Sequence, residues 1–450
     1  MISNDAYIAG TRFGLGIRYD EVRRISASPM GWLTEQIRSP LILSNAFASL
    51  LSTEQNLKSA FALRQARADA NDKVAAQQKI QESYKDIFVG EMRAKLLHAI
   101  TTTTPFYERL ADFWSNHFAV SVKKGQVQPI AGSYEREAIR PYVTGRFADM
   151  LLAVAHHPAM LIYLDNAGSI CPDSIAGRRR DKGLNENLAR EIMELHTLGV
   201  DGGYTQTDVT TFAKVLTGWS LTGPNTDDPG HFDFTPRRHE PGTQTILDKS
   251  YPDDGEDQGI AVLRNLAVHP ATAHHIATKL ARHFIADTPP DSAVERLAEV
   301  FSGTGGDLPS VYRALVEIPE AWDVRHHTKI KSSYDLVVSA ARAAGKSEDE
   351  HIDYCLKSLR FLGDMPFTAD SPAGLPDVAR DMVGPEAMIR RVEWAQMAAK
   401  KLEPSQSATE MVSFTIGPVM REATQHAIAH AQREPEAVAL LFGSPEFQRR

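Results

Sequence analysis

Cysteine is scarce: Cys171 and Cys355 are the only two in 450 residues. Two are too few for a disulfide framework, and they lack metal-ligand spacing. A chain this long buries enough core to need no staple, so two reduced thiols are the expectation, as is usual inside cells. No stretch approaches the roughly 18 consecutive apolar residues of a membrane span. Positive charge is not in excess: 49 Lys and Arg stand against 57 Asp and Glu, a net charge of −8. With no basic stripe, broad nucleic-acid binding is disfavoured, and the acidic residues are dispersed rather than gathered into a tail. Residues 1–18 show no basic segment followed by an apolar run, so no secretory signal is expected and the bland location is the cytoplasm. A glycine-rich phosphate loop, a nucleophile elbow and a Cys/His nucleophile pair are also missing, as is any repeat of fixed period.

What is present is helical periodicity. Ser28-Pro29 reads as an N-cap with proline in the first turn, opening a helix through Ile37. Residues 55–100 read as one or two long helices whose middle, Arg64 to Gln81, carries few large apolar residues and so projects or faces solvent. Pro105 opens a helix with Phe106, Leu110, Phe113, Trp114 and Phe118 on one wide face. Residues 101–220 form the central helical part. In 219–259 glycine, proline and aspartate are dense, and 231–234 and 243–246 alternate with period two, which predicts one β-hairpin near 231–247 around Glu240-Pro241-Gly242. Helices resume over 260–362, a loop covers 363–385, and helices close the chain over 386–450. The expected architecture is mainly α: a multi-helix, bundle-like domain of 1–450, with a division into two lobes left open, and one small β insertion.

Residues 184–198 carry the densest chemistry. Read as one helix ended by Gly199, the segment has Leu184, Leu188, Leu195 and Leu198 as an apolar stripe, widened by Ala189, Ile192 and Met193. Glu186, Arg190, Glu191, Glu194 and His196 share the same three turns. Glu186 with Arg190, and Arg190 with Glu194, stand at i,i+4 and can pair; Glu191 and Glu194 at i,i+3 bring two carboxylates together. Charges on a buried helix must find partners. They form either an ion-pair network that pins helices together, or a polar pocket in which Glu191, Glu194 and His196, with Arg190, act as acid/base groups or metal ligands. The metal reading has little support: the two-histidine zincin motif is absent, and Glu194 and His196 are two apart, not three as in di-iron bundles. His275 and His283 flank Lys279 at four-residue steps and read as a solvated face. Arg178, Arg179 and Arg180 precede a helix and could hold an anion, although a solvated loop is the simpler reading.

Several stretches resemble one protein family, the domain of unknown function 1800. They are Thr11-Arg12-Phe13-Gly14-Leu15-Gly16, then Phe113-Trp114-Ser115-Asn116-His117-Phe118, and above all Asn185 to Gly199, continuing through Tyr204-Thr205 to Thr217-Gly218-Trp219. His239 lies in the family's hairpin region, and Ser444-Pro445-Glu446-Phe447-Gln448 resembles its ending. The resemblance implies a bacterial protein, often encoded beside a phosphatase- or sulfatase-like protein with a twin-arginine export signal. It implies no reaction and names no cofactor. Two functions follow as expectations. One is an enzyme whose pocket joins the 184–198 helix, the 111–118 segment and His239, with Glu186, Asn116, His117 and His239 as binding residues. The other is a non-catalytic partner or scaffold for that exported neighbour, periplasmic if carried across with it.

Overall fold

A computed structural model describes residues 2–38, 45–179, 183–324 and 329–450. The fold is mainly α, with two small antiparallel hairpins. The helices expected from periodicity are present, among them Pro29–Arg38, Pro105–His117, Pro270–Phe284, Ser333–Ala344 and Pro385–Lys401. The long polar stretch is two helices, Thr53–Asp69 and Lys73–Thr101, separated where Asp72 caps the second through the Val74 and Ala75 amides. Thr205 and Asp208 form the expected reciprocal capping box. Among the described residues no helix is long and apolar enough to cross a membrane.

One continuous apolar core runs from Ala6 to Phe447. The Pro105–His117 helix is its axis. Phe106, Leu110, Phe113 and Trp114 are all buried, and the Trp114 indole donates to the Tyr312 hydroxyl at 2.6 Å, so its one polar atom is satisfied inside the core.

The β region differs from expectation. Strands do form at Phe232–Phe234 and Gln244–Ile246, but they do not pair with each other. Phe232–Phe234 (β2) pairs with Trp219–Leu221 (β1), and Gln244–Ile246 (β3) pairs with Lys249–Tyr251 (β4). The Glu240-Pro241-Gly242 stretch is held inward instead of turning a hairpin: the Glu240 amide donates to Thr217 Oγ1 at 3.0 Å, and His239 Nδ1 sits 3.0 Å from the Thr217 carbonyl. The tight turn is at Leu247 and Asp248, both at positive φ (49° and 59°), the geometry of a two-residue I′ loop. Leu247 carries no turn signal, and Asp248, although tolerant of positive φ, is not followed by glycine, so the turn is not marked in the sequence.

The 184–198 segment is also not one regular helix. An α-helical turn covers Asn187–Glu191 and a π-helical turn Ile192–His196. Thr197 Oγ1 donates to the Ile192 carbonyl at 2.6 Å and so satisfies the widened end. Gly199 follows at φ 86°, the left-handed position expected of it. Single π turns occur often at functional sites. The widened turn rotates every later side chain away from the stripe drawn with 3.6 residues per turn.

Candidate functional site

The π turn separates the residues that sequence spacing had grouped. Glu186 and Arg190 do pair, at 2.8 Å. The same carboxylate accepts from Gln206 Nε2 and Thr210 Oγ1 at 2.9 and 2.7 Å, so Glu186 is fully engaged at the edge of an open cleft of about 660 Å³. Arg190 turns to Glu186 and Gln206 rather than to Glu194. Glu191 and Glu194 are half-buried and, among the described residues, have no ion-pair partner. Burial, then the nearby Glu194 charge, raises the proton affinity of Glu191.

His196 points the other way, into the core. Its ring lies 5.1 Å from Phe118 and 6.1 Å from His117, and neither ring nitrogen has a partner among the described residues. Burial, with help from Lys279 and His275, pushes its pKa down to about 3, so the imidazole is neutral. His117 donates through Nε2 to the His196 carbonyl at 3.1 Å, and burial likewise depresses its pKa. The structure therefore brings His117 and His196 together. His239 is not part of this group: its ring contacts Phe234 and the Thr217 carbonyl.

The expectation of a solvated face for His275, Lys279 and His283 is corrected. All three are partly buried on the inner side of the Pro270–Phe284 helix. His275 Nε2 lies 3.0 Å from the Leu195 carbonyl, and His283 Nδ1 lies 3.3 Å from Asp377 Oδ1. Four-residue steps put them on one face, but that face meets the π turn and the 363–378 loop rather than water. Of the arginine run, Arg178 is exposed, while Arg180 lies outside the described residues.

Asn116 sets the geometry of that loop. Its side chain donates to the Leu375 carbonyl at 3.0 Å and accepts from the Leu375 amide at 2.7 Å. Gly374, at φ 87°, passes so close that a Cβ there would lie 2.5 Å from the Asn116 carbonyl oxygen. The loop is thereby pinned over two adjoining recesses that share Asn116, His283, Leu375, Pro376 and Asp377.

The inner recess is small, about 110 Å³, and chemically dense. Asp112, Ser115 and Asn116 enter it from the Pro105–His117 helix, Lys95 from Lys73–Thr101, and Tyr334 and Asp335 from Ser333–Ala344. Behind it stands a buried charge network. Arg140 clasps Glu108 through both terminal nitrogens (2.7 and 2.5 Å) and reaches Glu135 through Nε at 3.0 Å. Lys95 Nζ lies 2.8 Å from Glu135 and 2.5 Å from Asp112. Lys95 and Arg140 thus face three carboxyl groups, and His98 Nε2 adds a contact to Glu108 at 3.0 Å. Glu108 and Glu135 take most of the positive charge and are held below the ordinary carboxylate range despite burial. Asp112 is left with the deficit. Burial first, then the Glu108 and Glu135 charges, push its pKa up to about 6, against the pull of Lys95. Burial alone would lower the Lys95 pKa, but Asp112 and Glu135 raise it to about 12, so the ammonium stays charged.

Polar atoms at this recess without a hydrogen-bond partner among the described residues include Asp112 Oδ2, the Tyr334 hydroxyl, His283 Nε2 and Arg450 Nη1. A second network closes the opposite wall. Asp335 pairs with Arg109 at 3.1 Å and Arg450 at 3.2 Å, and Asp377 receives His283 and Lys329. The cations hold both aspartates ionised well below the usual range, although burial opposes this.

Asn116 and His117 are among the candidate binding residues read from the sequence; Asp112, Lys95 and Tyr334 are not. A signal existed: Glu108, Asp112 and Asn116 stand four residues apart and make a polar stripe along an otherwise apolar helix. The aromatic run beside it drew attention to packing instead.

Metal binding can be judged from donor geometry. Among the described residues, two groups of three ligand-type side chains have their ligand atoms within 4.8 Å: Glu54, Asp228 and His231, and Cys171, Asp173 and Glu240. Neither includes a residue of the 186–196 segment or of the inner recess, and Lys214 already pairs with Glu240 at 3.2 Å. Both cysteines are free and buried.

No curated protein and no solved structure matches this chain. A family profile matches residues 8–449, essentially the whole length, and the chain therefore belongs to the family described as "Protein of unknown function (DUF1800)".

Proposed function

We propose that the protein is an enzyme using general acid–base chemistry in the recess beneath the 363–378 loop, with Asp112 as the proton-transfer group. The observation that carries this is the Asp112 carboxyl itself: one oxygen on Lys95, the other unpartnered, and a pKa pushed up to about 6 by burial and excess carboxylate. A catalytic acid or base works best with a pKa near the working pH, and perturbed carboxyls in clefts mark such sites. Lys95 steadies the carboxylate form, and the free Tyr334 hydroxyl is available to donate to an oxygen that gains negative charge in the reaction. Asn116 positions the loop. In this reading Glu191 and Glu194 take no part in the chemistry, and His196 packs against His117, which lines the outer recess.

The test combines titration with turnover. The Asp112 carboxyl, followed by carbon NMR against the Asp112→Asn variant, should titrate near pH 6. A screen of ester, amide, phosphoryl and sulfuryl substrates should find one class that the wild type turns over and Asp112→Asn turns over at least about 100-fold more slowly. Titration near 4, or wild-type turnover by the variant, removes the proposal.

A second reading keeps the protein as a binding partner for an exported phosphatase- or sulfatase-like neighbour. It is favoured by the Pro385–Lys401 helix, which leaves Met388, Ile389 and Val392 exposed within about one third of its circumference. Co-purification of the two proteins, and its loss in Ile389→Glu, tests this reading independently of Asp112.

A further inference from the structure

The outer recess, about 780 Å³ and open to solvent, has a charge imbalance of its own. Lys279 and Arg282 stand one turn apart on the Pro270–Phe284 helix, and both line it half-buried. Among the described residues neither has an ion-pair partner. The acidic residues along the same wall are committed elsewhere. Asp377 lies 3.3 Å from His283, 3.6 Å from Lys329 and 3.9 Å from Arg450. Asp287 holds Lys329 at 2.7 Å and the Ala379 amide at 2.8 Å, and Asp381 pairs with Arg380 at 3.5 Å. Two like charges at i,i+3 repel each other; the Asp377 charge reaches Lys279 only beyond ion-pair distance, and partly desolvated cations without a paired counter-charge are costly to hold.

One more donor belongs to this recess: Arg282 Nε is buried and without a hydrogen-bond partner among the described residues. An arginine fork beside a lysine is a donor set suited to an oxyanion. A cation would be repelled by both side chains, and a neutral apolar group would leave their donors unsatisfied.

We infer that Lys279 and Arg282 bind an oxyanion, a carboxylate, sulfate or phosphate group, so that the substrate is an acidic small molecule. The word substrate rests on the acid–base reading of the adjoining recess; the anion site stands on its own geometry. The shared wall of Asn116, His283 and Leu375 puts the anion next to the Asp112 recess, so that anchoring one end of a molecule here would present its other end to Asp112. Burial lowers the Lys279 pKa to about 8, so the lysine remains mostly charged at neutral pH and an anion would draw it further into that form.

The full-length protein should be titrated with inorganic phosphate, sulfate and acetate at constant ionic strength, by calorimetry and by the rise in melting temperature that ligand binding produces. At least one anion should bind saturably at millimolar concentration or below. Lys279→Met and Arg282→Gln should each weaken it at least about 10-fold, while Asp112→Asn binds as the wild type does. Which of the three probes binds tightest separates carboxylate from tetrahedral anions. The apo variants should melt no lower than the wild type, because each removes an unpaired charge; an Arg282→Lys variant, which keeps the charge, should retain part of the affinity. Absence of saturable binding, or binding indifferent to both charge-removing substitutions, overturns the inference. Should anion binding fail while Asp112 still titrates near 6, the acid–base reading stands without it; normal anion binding with Asp112 titrating near 4 leaves the anion site and removes the catalytic role.

Discussion

Lys95 Nζ lies 2.5 Å from one oxygen of Asp112, and the other oxygen of that carboxyl has no partner among the described residues. The ammonium is already shared with Glu135 at 2.8 Å, so it half-neutralises two acids rather than neutralising one. That division of charge makes Asp112 a proton-exchanging group and not simply another ion pair.

Linkage gives this a sign. Asp112 has a folded pKa near 6, above its ordinary 3.8, so the folded state binds its proton more tightly than the unfolded state does. Its contribution favours folding at low pH and is lost as pH rises from about 4 to about 6. Asp112→Asn lacks this loss. Relative to the wild type, the variant should gain on the order of 2 kcal/mol between pH 4 and pH 7, read from urea unfolding at both pH values. An unchanged difference between the two proteins would show that Asp112 is unperturbed.

His117 and His196 carry the opposite dependence. Both are buried and held neutral, with pKa values depressed below 6.5, so the unfolded state takes up protons first. Their stability contribution is complete above pH 6.5 and is lost as pH falls from there towards the folded values. The melting temperature should drop between pH 6.5 and 4, by the equivalent of roughly 1–2 kcal/mol per histidine at pH 5. His196→Phe should show a shallower fall over that interval.

Arg140 is fully buried and, among the described residues, is the one side chain clasping both Glu108 and Glu135. Arg140→Met removes that cation and leaves Glu108 with His98 and Glu135 with Lys95 as their remaining partners. Breaking a buried pair from one side costs about 3–5 kcal/mol, and urea unfolding should show a loss of that size. The Asp112 pKa should rise further in the same variant, because positive charge has left the network.

Asn116 holds the 363–378 loop at Leu375. Asn116→Ala deletes both hydrogen bonds to Leu375, at a cost of about 1–3 kcal/mol. Hydrogen exchange at the Leu375 amide should accelerate at least about 10-fold in this variant, with little change at Val122, whose amide is bonded to the Phe367 carbonyl. Equal acceleration at both amides would mean that the loop is not held at Asn116.

Helical periodicity, proline in the first turn and Ser/Thr caps act through neighbours a few residues away, which is why the helices and the mainly α class can be read directly from the chain. The same locality explains Gly199 and the Thr205/Asp208 box. Pairing partners and charge balance are not local. Phe232–Phe234 and Gln244–Ile246 look like strands in sequence, yet only the inward hold on His239 and Glu240 decides that they belong to separate hairpins. The π turn at Ile192–His196 interrupts the α-helical register of the segment, and no periodicity drawn for an α-helix contains that interruption. Asp112, Lys95, Glu135 and Arg140 are dispersed over 45 positions and become one proton-sharing group only when three helical segments meet. The amino-acid order by itself settled the helices and the buried aromatic face. Tertiary packing alone decided which carboxyl was left short of a cation, because that depends on how many charges of each sign are brought within a few ångströms inside a medium that screens them poorly.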